Sequence, residues 1–381
     1  MEVSKIKEAK VSPLGNSRAA KIIIAGGGTG GHIFPAIAIA NAMKKLAPQT
    51  EFLFIGARGK MEMEKVPQAG YQIKGLEIAG LNRSSLIKNI GLPYKLLKSF
   101  FQVRTIFKSF RPDAVIGVGG YSSFPVLRFA QSQGIKTFIH ESNSFAGKSN
   151  IFLGRRATKI FVATDGMERF FPAAKIMVTG NPVRQTIAAH TLSKEDALKH
   201  YGFSAEKKVV LSIGGSLGAK NINEAIDKDI ELFEKNDLQL IWQTGKPYMD
   251  KATERCKGRT NVYANDFITQ MEYAYTAADI VISRSGAMAI AELCLVKKPV
   301  VFVPYPFAAE DHQTANAQNL VNKHAALMIK DDQALNKLVP AIISLSKDNA
   351  LQESLIENIA RLGIADADSL IAAEILKTVA T

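Results

Sequence analysis

The sequence predicts an α/β protein of two Rossmann-like domains whose parallel sheets face each other across a cleft. Two similar segments, residues 21–32 and 207–219, each carry a short apolar run, a glycine-rich turn with one hydroxyl residue and a helix-like stretch. Such a turn is typical of the first strand and helix of a doubly wound domain. Strand and helix patterns alternate along both halves, which favours parallel sheets covered by helices. The 381 residues are enough for two domains of ordinary size.

The apolar runs place strands in both halves of the chain. In the first half they are Lys21–Ala25, Glu51–Ile55, Ala114–Val118, Thr137–His140, Lys159–Val162 and Lys175–Val178, with helices at Pro35–Leu46, Leu92–Phe110 and Tyr121–Gln131. The second half predicts strands at Val209–Ile213, Gln239–Gln243, Asn261–Ala264, Ile280–Ser283, Pro299–Val303 and Ala326–Ile329, and a last helix at Asp368–Val379.

Composition and charge restrict the class of protein. Hydrophobic residues make up 47% of the chain and charged residues 22%, which is typical of a soluble globular protein. No apolar run is long enough to span a membrane, and the first twenty residues lack the apolar stretch of a signal peptide. Cys256 and Cys294 lack metal-ligand spacing and favour a reducing compartment. A net charge of +13 indicates an acidic partner.

The positive charge is concentrated between residues 78 and 112, where seven Lys or Arg occur without any Asp or Glu. Leu97 and Phe101 widen the apolar sector of the predicted helix in this segment beyond one core-facing stripe. One interpretation is a buried helix with a solvated basic face, and the other is a surface that rests on anionic lipid. Phenylalanines within apolar runs do not indicate a nucleic-acid surface.

Further motifs follow the predicted strand ends, where ligands bind in open parallel sheets. His32 comes directly after the first glycine turn, and a third glycine turn spans residues 117–123. The segment 140–143 offers a histidine, a carboxylate and an amide for proton transfer or sugar binding. Residues 283–292 read as strand, turn and helix and end on Glu292, a carboxylate suited to a ribose diol. Two Asp-x-Asp pairs, at 227–229 and 366–368, are explained by capping and solvation rather than by a metal.

Together these motifs resemble the MurG family of bacterial transferases, glycosyltransferase family 28, whose two-domain architecture is called GT-B. The resemblance runs from about Lys21 to the C-terminus and rests on seven motifs in the family's order. These motifs are residues 27–35, 117–123, 140–143, 180–184, 214–218, 283–292 and 311–313. The resemblance implies inverting transfer of N-acetylglucosamine from UDP to the muramyl sugar of lipid I, an undecaprenyl-diphosphate-linked muramyl-pentapeptide. The product would be lipid II with a β-1,4 bond, made for peptidoglycan without a metal or other cofactor.

The resemblance also implies roles on the donor side of the cleft. The Ile268 backbone would meet uracil, Glu292 would hold the ribose and Gln313 would read the sugar hydroxyls. Arg184 and Ser216 would contact the diphosphate. The helix that begins at Ala287 and Met288 would stabilise the leaving UDP, where negative charge grows.

On the acceptor side, the hydroxyl that attacks the anomeric carbon must lose a proton. His32 is the first candidate for this base, and Glu141 is the second. The family pattern departs at Thr314, where a second Gln is common, and Asn316 is the candidate replacement for that contact. The residues implied to line the acceptor are Thr29, Gly30, Gly31 and Asn143.

The resemblance divides the chain into a tail over 1–20, an acceptor and membrane domain over 21–183, a donor domain over 184–360 and a C-terminal helix over 361–381 that returns to the first domain. The expected partners are UDP-N-acetylglucosamine, lipid I, an anionic membrane surface and other cell-wall or division proteins. The expected location is the cytoplasmic face of the bacterial cell membrane. The alternatives are a soluble UDP-N-acetylglucosamine 2-epimerase of the same architecture and an NADP-binding protein that uses only the first glycine turn.

Overall fold

The structure is a computed structural model, and it describes residues 19–79, 91–183, 187, 192–215 and 217–380. Two parallel sheets organise it, as the sequence predicts. The first has the order β3-β2-β1-β4-β5-β6-β7. Its strands are β1 Lys21–Ala25, β2 Glu51–Ala57, β3 Ile73–Leu76, β4 Ala114–Gly117, β5 Lys136–Glu141, β6 Lys159–Val162 and β7 Ile176–Val178. Its helices are α1 Gly30–Leu46, α2 Glu62–Gln68, α3 Leu92–Phe110, α4 Ser123–Ser132 and α5 Lys148–Gly154.

The second sheet repeats this plan with the order β10-β9-β8-β11-β12-β13, and all its pairings are parallel. Its strands are β8 Lys208–Ile213, β9 Leu238–Gln243, β10 Val262–Asn265, β11 Ile280–Ser283, β12 Val300–Phe302 and β13 Leu327–Met328. The helices are α6 Lys194–Tyr201, α7 Lys220–Lys228, α8 Ile230–Lys235, α9 Met249–Cys256, α10 Met271–Ala277, α11 Ala287–Val296, α12 His312–Asn322, α13 Ala334–Lys347, α14 Asn349–Ala360 and α15 Ala367–Ala380.

The central strands are almost wholly apolar because helices cover both faces of each sheet. Ile22, Ile23 and Ile24 of β1 are each at most 1% exposed, and alternate residues face the clusters on opposite sides of the sheet. The second sheet is likewise covered on both faces. The carboxyl ends of β1 and β8, where the two glycine turns begin, therefore open on the edge where ligands bind in such sheets.

The last helix, α15, packs on the first sheet rather than on the second. Ile371 and Ile375 are buried in the same apolar cluster as residues of β1 and α1. Lys136 donates to the carbonyl of Thr378 at 2.7 Å, and Lys159 pairs with Glu374. The chain thus returns to its first sheet after completing the second, and the predicted fold class is confirmed.

The start of α1 and the presence of β3 differ from the sequence expectation. Helix α1 begins at Gly30, five residues before the predicted start at Pro35. Glycine and proline are unfavourable in helix interiors. Here, however, the amides of His32 and Ile33 both donate to the carbonyl of Thr29 and close the first turn. Strand β3 was not predicted, because its four residues include a lysine and a glycine and show no apolar run.

Candidate active site between the two sheets

A cleft of about 1600 Å³ separates the carboxyl ends of the two sheets and is lined by both halves of the chain. Thr29, His32, Glu141, Asn143 and Ala287 are not among the described residues that line it. Arg184 and Ser216 lie outside the described residues. The predicted site residues that do line it are Gly30, Gly31, Ile268, Met288, Glu292 and Gln313.

The first glycine turn uses its backbone amides within the protein. Those of Gly26 and Gly27 donate to carbonyl oxygens at the neighbouring strand ends, at 3.1 and 3.2 Å. The amide of Gly28 donates to a carboxylate oxygen of Glu62 at 2.9 Å. These three amides are therefore engaged in supporting the turn, and the cleft is lined instead by residues of α1 from Gly30 onward.

Glu62, the first residue of α2, is a buried carboxylate beneath this turn and is 1% exposed. Its second oxygen accepts the amide of Ala57 at 2.9 Å. A side chain at Gly27 or at Gly56 would collide with Glu62, so both glycines make room for it. Sequence reasoning missed Glu62, because its only local signal is an acidic residue in the first turn of a short helix.

His32 lies in the first turn of α1, with Nδ1 3.0 Å from the carbonyl oxygen of Gly27 and 3.4 Å from Oγ1 of Thr29. A carbonyl oxygen only accepts, so in the neutral ring this bond assigns the proton to Nδ1 and leaves a lone pair on Nε2. A Cβ built at Gly119 would lie 2.7 Å from Nε2. The third glycine turn, which contains Gly119, therefore makes space for the proton-accepting edge of His32.

The end of β5 is buried, and the carboxylate at this end is internally satisfied. Burial lowers the pKa of His140 to about 4, so its ring is neutral at pH 7. The carboxylate of Glu141, 4% exposed, accepts both the amide and the side-chain NH₂ of Asn143, at 3.1 and 3.3 Å. Its other oxygen accepts the amide of Gly147 at 3.2 Å and Nδ2 of Asn150 at 2.8 Å. Glu141 thus anchors the loop that follows its strand.

Asn143 joins the two halves of the chain through Asn316 of α12. Nδ2 of Asn316 donates to Oδ1 of Asn143 and to the carbonyl of Ser285, both at 3.2 Å. Oδ1 of Asn316 accepts the amide of Ser144 at 2.8 Å. Asn316 is 2% exposed, and its amide connects the two halves.

Gln243, at the end of β9, supports the second glycine turn. Its Nε2 donates to the carbonyl of Gly215 at 3.0 Å, and its Oε1 accepts the amide of Ile268 at 3.1 Å. One side chain therefore joins two segments expected to hold the donor. A uracil that bonded to the Ile268 amide would have to displace Gln243 from it. The carbonyl of Ile268 is not bonded to Gln243. Sequence reasoning missed Gln243 because no motif includes it.

The start of α11 presents helix amides without a competing anion. Gly286 is the N-cap, no side chain caps the helix, and its first turn has no acidic residue. A helix N-terminus of this kind favours a negative charge through its unpaired amides and its dipole. Gly286 and Met288 both line the cleft, so these amides would reach an anion bound in it.

Two predicted donor residues are held by neighbouring groups. Glu292 of α11 is 7% exposed, and its carboxylate accepts the hydroxyl of Tyr275 at 3.0 Å. The side-chain carbonyl of Gln313 accepts the amide of Tyr305 at 3.0 Å. These bonds fix both side chains at the wall of the cleft before any ligand binds.

Two Rossmann-like halves that face one cleft, with a positioned imidazole beside one wall and an uncapped helix start on the other, define a nucleotide-sugar enzyme of the GT-B class. The family model for the N-terminal domain of glycosyltransferase family 28 matches residues 22–162. The model for the C-terminal domain of that family matches residues 209–371. The chain belongs to glycosyltransferase family 28, as the resemblance implied.

Individual proteins agree with this assignment. A Bacteroides fragilis protein named UDP-N-acetylglucosamine--N-acetylmuramyl-(pentapeptide) pyrophosphoryl-undecaprenol N-acetylglucosamine transferase is 49% identical over 95% of this chain and 97% of its own. The crystal structure of Acinetobacter baumannii MurG matches with a TM-score of 0.79 and 27% identity, over 94% of this chain and 99% of that one. A UDP-N-acetylglucosamine 2-epimerase structure matches with a TM-score of 0.63, 15% identity and coverage of 95% and 96%, which is a likeness of fold alone.

Proposed function

We propose that this glycosyltransferase moves N-acetylglucosamine from UDP-N-acetylglucosamine to the muramyl sugar of lipid I, with inversion and formation of lipid II. The relative from Bacteroides fragilis carries this reaction in its name and is similar to almost the whole chain. The cleft is the observation that carries the proposal. The imidazole of His32 is held in position beside one wall, and the other wall contains the uncapped start of α11 and Glu292.

On the donor wall, the start of α11 would meet the diphosphate of UDP. When the bond between the anomeric carbon and the β-phosphate oxygen breaks, negative charge grows on that oxygen. Helix amides aimed at this point stabilise the transition state more than the ground state. Glu292, held by Tyr275, is placed to accept hydroxyl groups of the ribose.

On the acceptor wall, Nε2 of His32 would take the proton of the attacking muramyl hydroxyl. The oxygen then bonds to the anomeric carbon from the face opposite UDP, and the electron pair of the broken bond leaves with UDP. Glu141 was the second candidate for this base. Its two oxygens already accept four hydrogen bonds, which supports His32 instead.

The membrane surface is proposed on the outer face of α3. Tyr94, Leu97 and Phe101 are 69%, 58% and 60% exposed, and their spacing of three and four residues places them on one face of the helix as an apolar patch. Lys98 pairs with Glu77 at 2.6 Å and is thus held against the protein. The exposed cations on the same helix are Lys95, Arg104 and Lys108. Within the described residues, no helix is long and apolar enough to cross a bilayer.

We propose further that residues 21–183 bind the acceptor and the membrane, and that residues 184–360 bind the donor. The packing of α15 on the first sheet supports treating 361–381 as part of the first unit. The described residues of the tail over 1–20 are only its last two. An acceptor with a polyprenyl chain supports a position at the cytoplasmic membrane face, where other cell-wall or division proteins could bind.

The direct test is incubation with labelled UDP-N-acetylglucosamine and a short-chain lipid I analogue. We expect a disaccharide product and one UDP released per bond formed. Labelled donor that stays intact with a well-folded protein would refute the transfer. Donor alone is the control, and its conversion to the 2-epimer would support the epimerase alternative.

The membrane proposal is tested by sedimentation with anionic vesicles. Replacement of Leu97 and Phe101 by Ser, together with Lys95→Gln and Arg104→Gln, should lower binding about 100-fold or more. Each cation near such a surface contributes about 1 kcal/mol, and the two apolar side chains add their buried area. Lys98→Gln is the matched control, because this cation already pairs with Glu77. Equal binding by the multiple variant and the wild type would place the surface elsewhere.

A further inference from the structure

We propose that Glu62 is a positioning residue for His32 and acts through the peptide group between Gly27 and Gly28. The N–H of this peptide donates to Oε2 of Glu62 at 2.9 Å. The carbonyl of the same peptide accepts Nδ1–H of His32 at 3.0 Å. In a trans peptide these two groups point in opposite directions, so the carboxylate and the imidazole lie on opposite sides of one planar unit.

The carboxylate end of this arrangement is rigid. Glu62 is buried, and its other oxygen is held by the amide of Ala57 at 2.9 Å. Because a Cβ at Gly27 or Gly56 would collide with Glu62, the carboxylate fills a space that only glycines leave open. Gly27 also has a φ of 145°, a backbone conformation that side chains disfavour.

The imidazole end is fixed by the same peptide. A hydrogen bond from the N–H to a carboxylate draws electron density toward the carbonyl oxygen, and linked hydrogen bonds strengthen one another. The Gly27 carbonyl becomes a stronger acceptor, which favours the tautomer of His32 with its proton on Nδ1. The Nε2 lone pair then faces the space beside Gly119, ready for a proton.

The carboxylate also acts during the reaction. When Nε2 takes the acceptor proton, the ring becomes an imidazolium, and a negative charge on the far side of the peptide stabilises it. The role is that of a carboxylate partner that orients a catalytic histidine, with one peptide group between them. The kinetic part of this proposal rests on His32 as the base, whereas the tautomer part rests on geometry alone.

The variant Glu62→Gln separates positioning from simple packing. Glutamine has nearly the same shape, but one of its two ends is an NH₂ and cannot accept from both amides. The control is Glu64→Gln on the same helix, because Glu64 is exposed and its carboxylate accepts from Lys65 and Gln68 of that helix. Thermal unfolding and UDP affinity check that each variant is folded and that the second half is intact.

The first readout is ¹⁵N NMR of ring-labelled histidine in the full chain. The chain has six histidines, and the His32 signals are those lost in His32→Gln. We expect protonated Nδ1 and unprotonated Nε2 for neutral His32 in the wild type and in Glu64→Gln. In Glu62→Gln the population should shift toward protonated Nε2. An unchanged tautomer in Glu62→Gln would overturn the proposal.

The second readout is the kinetics of single and double variants. We expect Glu62→Gln to lower kcat about 10- to 100-fold with little change in the KM for the donor, as for other residues that orient a catalytic group. In a His32→Ala background it should have almost no further effect, because the interaction partner is gone. A full, independent loss in that background would show that Glu62 acts without His32.

The two readouts separate this inference from the proposed function. If His32→Ala retains turnover while Glu62→Gln changes the tautomer, His32 is not the base but the positioning contact stands. If His32→Ala abolishes turnover and the tautomer does not respond to Glu62, the positioning contact is wrong and the base is right. If Glu62→Gln does not fold, Glu62→Asp is the alternative, because it keeps the charge but withdraws it by one carbon. A folded Glu62→Asp variant with the wild-type tautomer and kcat would overturn the proposal.

Discussion

The two glycine-rich turns follow the first strand of each half, β1 and β8, but they are supported by different side chains. Beneath the first turn lies a carboxylate, Glu62, which accepts the Gly28 amide. Behind the second turn lies a neutral amide, Gln243, which donates to the Gly215 carbonyl. Glu62 therefore accepts a hydrogen bond from an amide of the first turn, whereas Gln243 donates one to a carbonyl of the second.

This difference bears on what each turn does. A buried negative charge near the first turn disfavours a second anion there, and the amides of Gly26, Gly27 and Gly28 are already engaged. Among the described residues, the side chain that supports the second turn is the neutral Gln243, and this turn lies in the half that carries the uncapped start of α11. We therefore propose that similar local sequence serves proton transfer in one half and a diphosphate in the other.

The largest expected effect is that of removing the imidazole beside the first turn. His32→Ala should lower kcat by about 10²- to 10⁴-fold, the range that a general base contributes. UDP affinity should stay as in the wild type, because the donor wall belongs to the other half. Turnover assays with the lipid I analogue and UDP titration measure both, and near-normal turnover would exclude His32 as the base.

The next effect concerns the space in front of Nε2. Gly119→Ala should lower kcat by about 100-fold, since a shift of about 1 Å at a reacting group is enough for such a loss. The new Cβ would lie 2.7 Å from Nε2 of His32. Positive φ alone also strains alanine, by about 1–2 kcal/mol.

Gly134→Ala separates these two effects. Gly134 has a φ of 72°, close in kind to the 97° of Gly119, but a Cβ there would meet no atom within 4 Å. Both variants should lose similar stability in thermal unfolding, and only Gly119→Ala should lose activity. Equal losses of activity in the two variants would show that backbone strain, and not contact with His32, is responsible.

A smaller effect is expected from giving the second turn the charge of the first. Gln243→Glu places a carboxylate beside the Gly215 carbonyl and near the donor wall. UDP affinity should fall by about tenfold, which corresponds to about 1.4 kcal/mol. Gln243→Met removes both hydrogen bonds of this side chain without adding charge, whereas Gln243→Glu can still accept from the Ile268 amide. Calorimetric titration of UDP compares the two variants. If both variants bind UDP equally, charge at this turn does not distinguish it from the first.

The sequence predicts the repeated turn and most strands because these depend on local patterns. The bounds of α3, Leu92–Phe110, are those expected from its apolar spacing. Glu62 and Gln243 could not be predicted, because each supports a turn distant in sequence through contacts that only the folded sheet creates. The neutral, buried state of His140 likewise depends on three-dimensional packing and not on its motif.

The smallest expected effect lies in the support of Glu292. Tyr275→Phe removes the hydroxyl that Glu292 accepts at 3.0 Å but leaves the carboxylate and the ring packing in place. Losing one hydrogen bond to a charged group costs about 1.5–3 kcal/mol when it is buried. The carboxylate then loses the bond that orients it toward the ribose hydroxyls, so UDP affinity should fall about threefold to tenfold.

Tyr273→Phe, on the same helix, is the matched control for this change, because its ring packs beside His200 rather than against Glu292. Glu292→Ala should weaken UDP binding more than Tyr275→Phe does, and the double variant should resemble Glu292→Ala, since the hydroxyl acts through the carboxylate. Calorimetric titration of UDP measures all four proteins. Additive losses in the double variant would mean that Tyr275 meets the nucleotide itself, and the donor wall would then hold its ligand by two independent contacts.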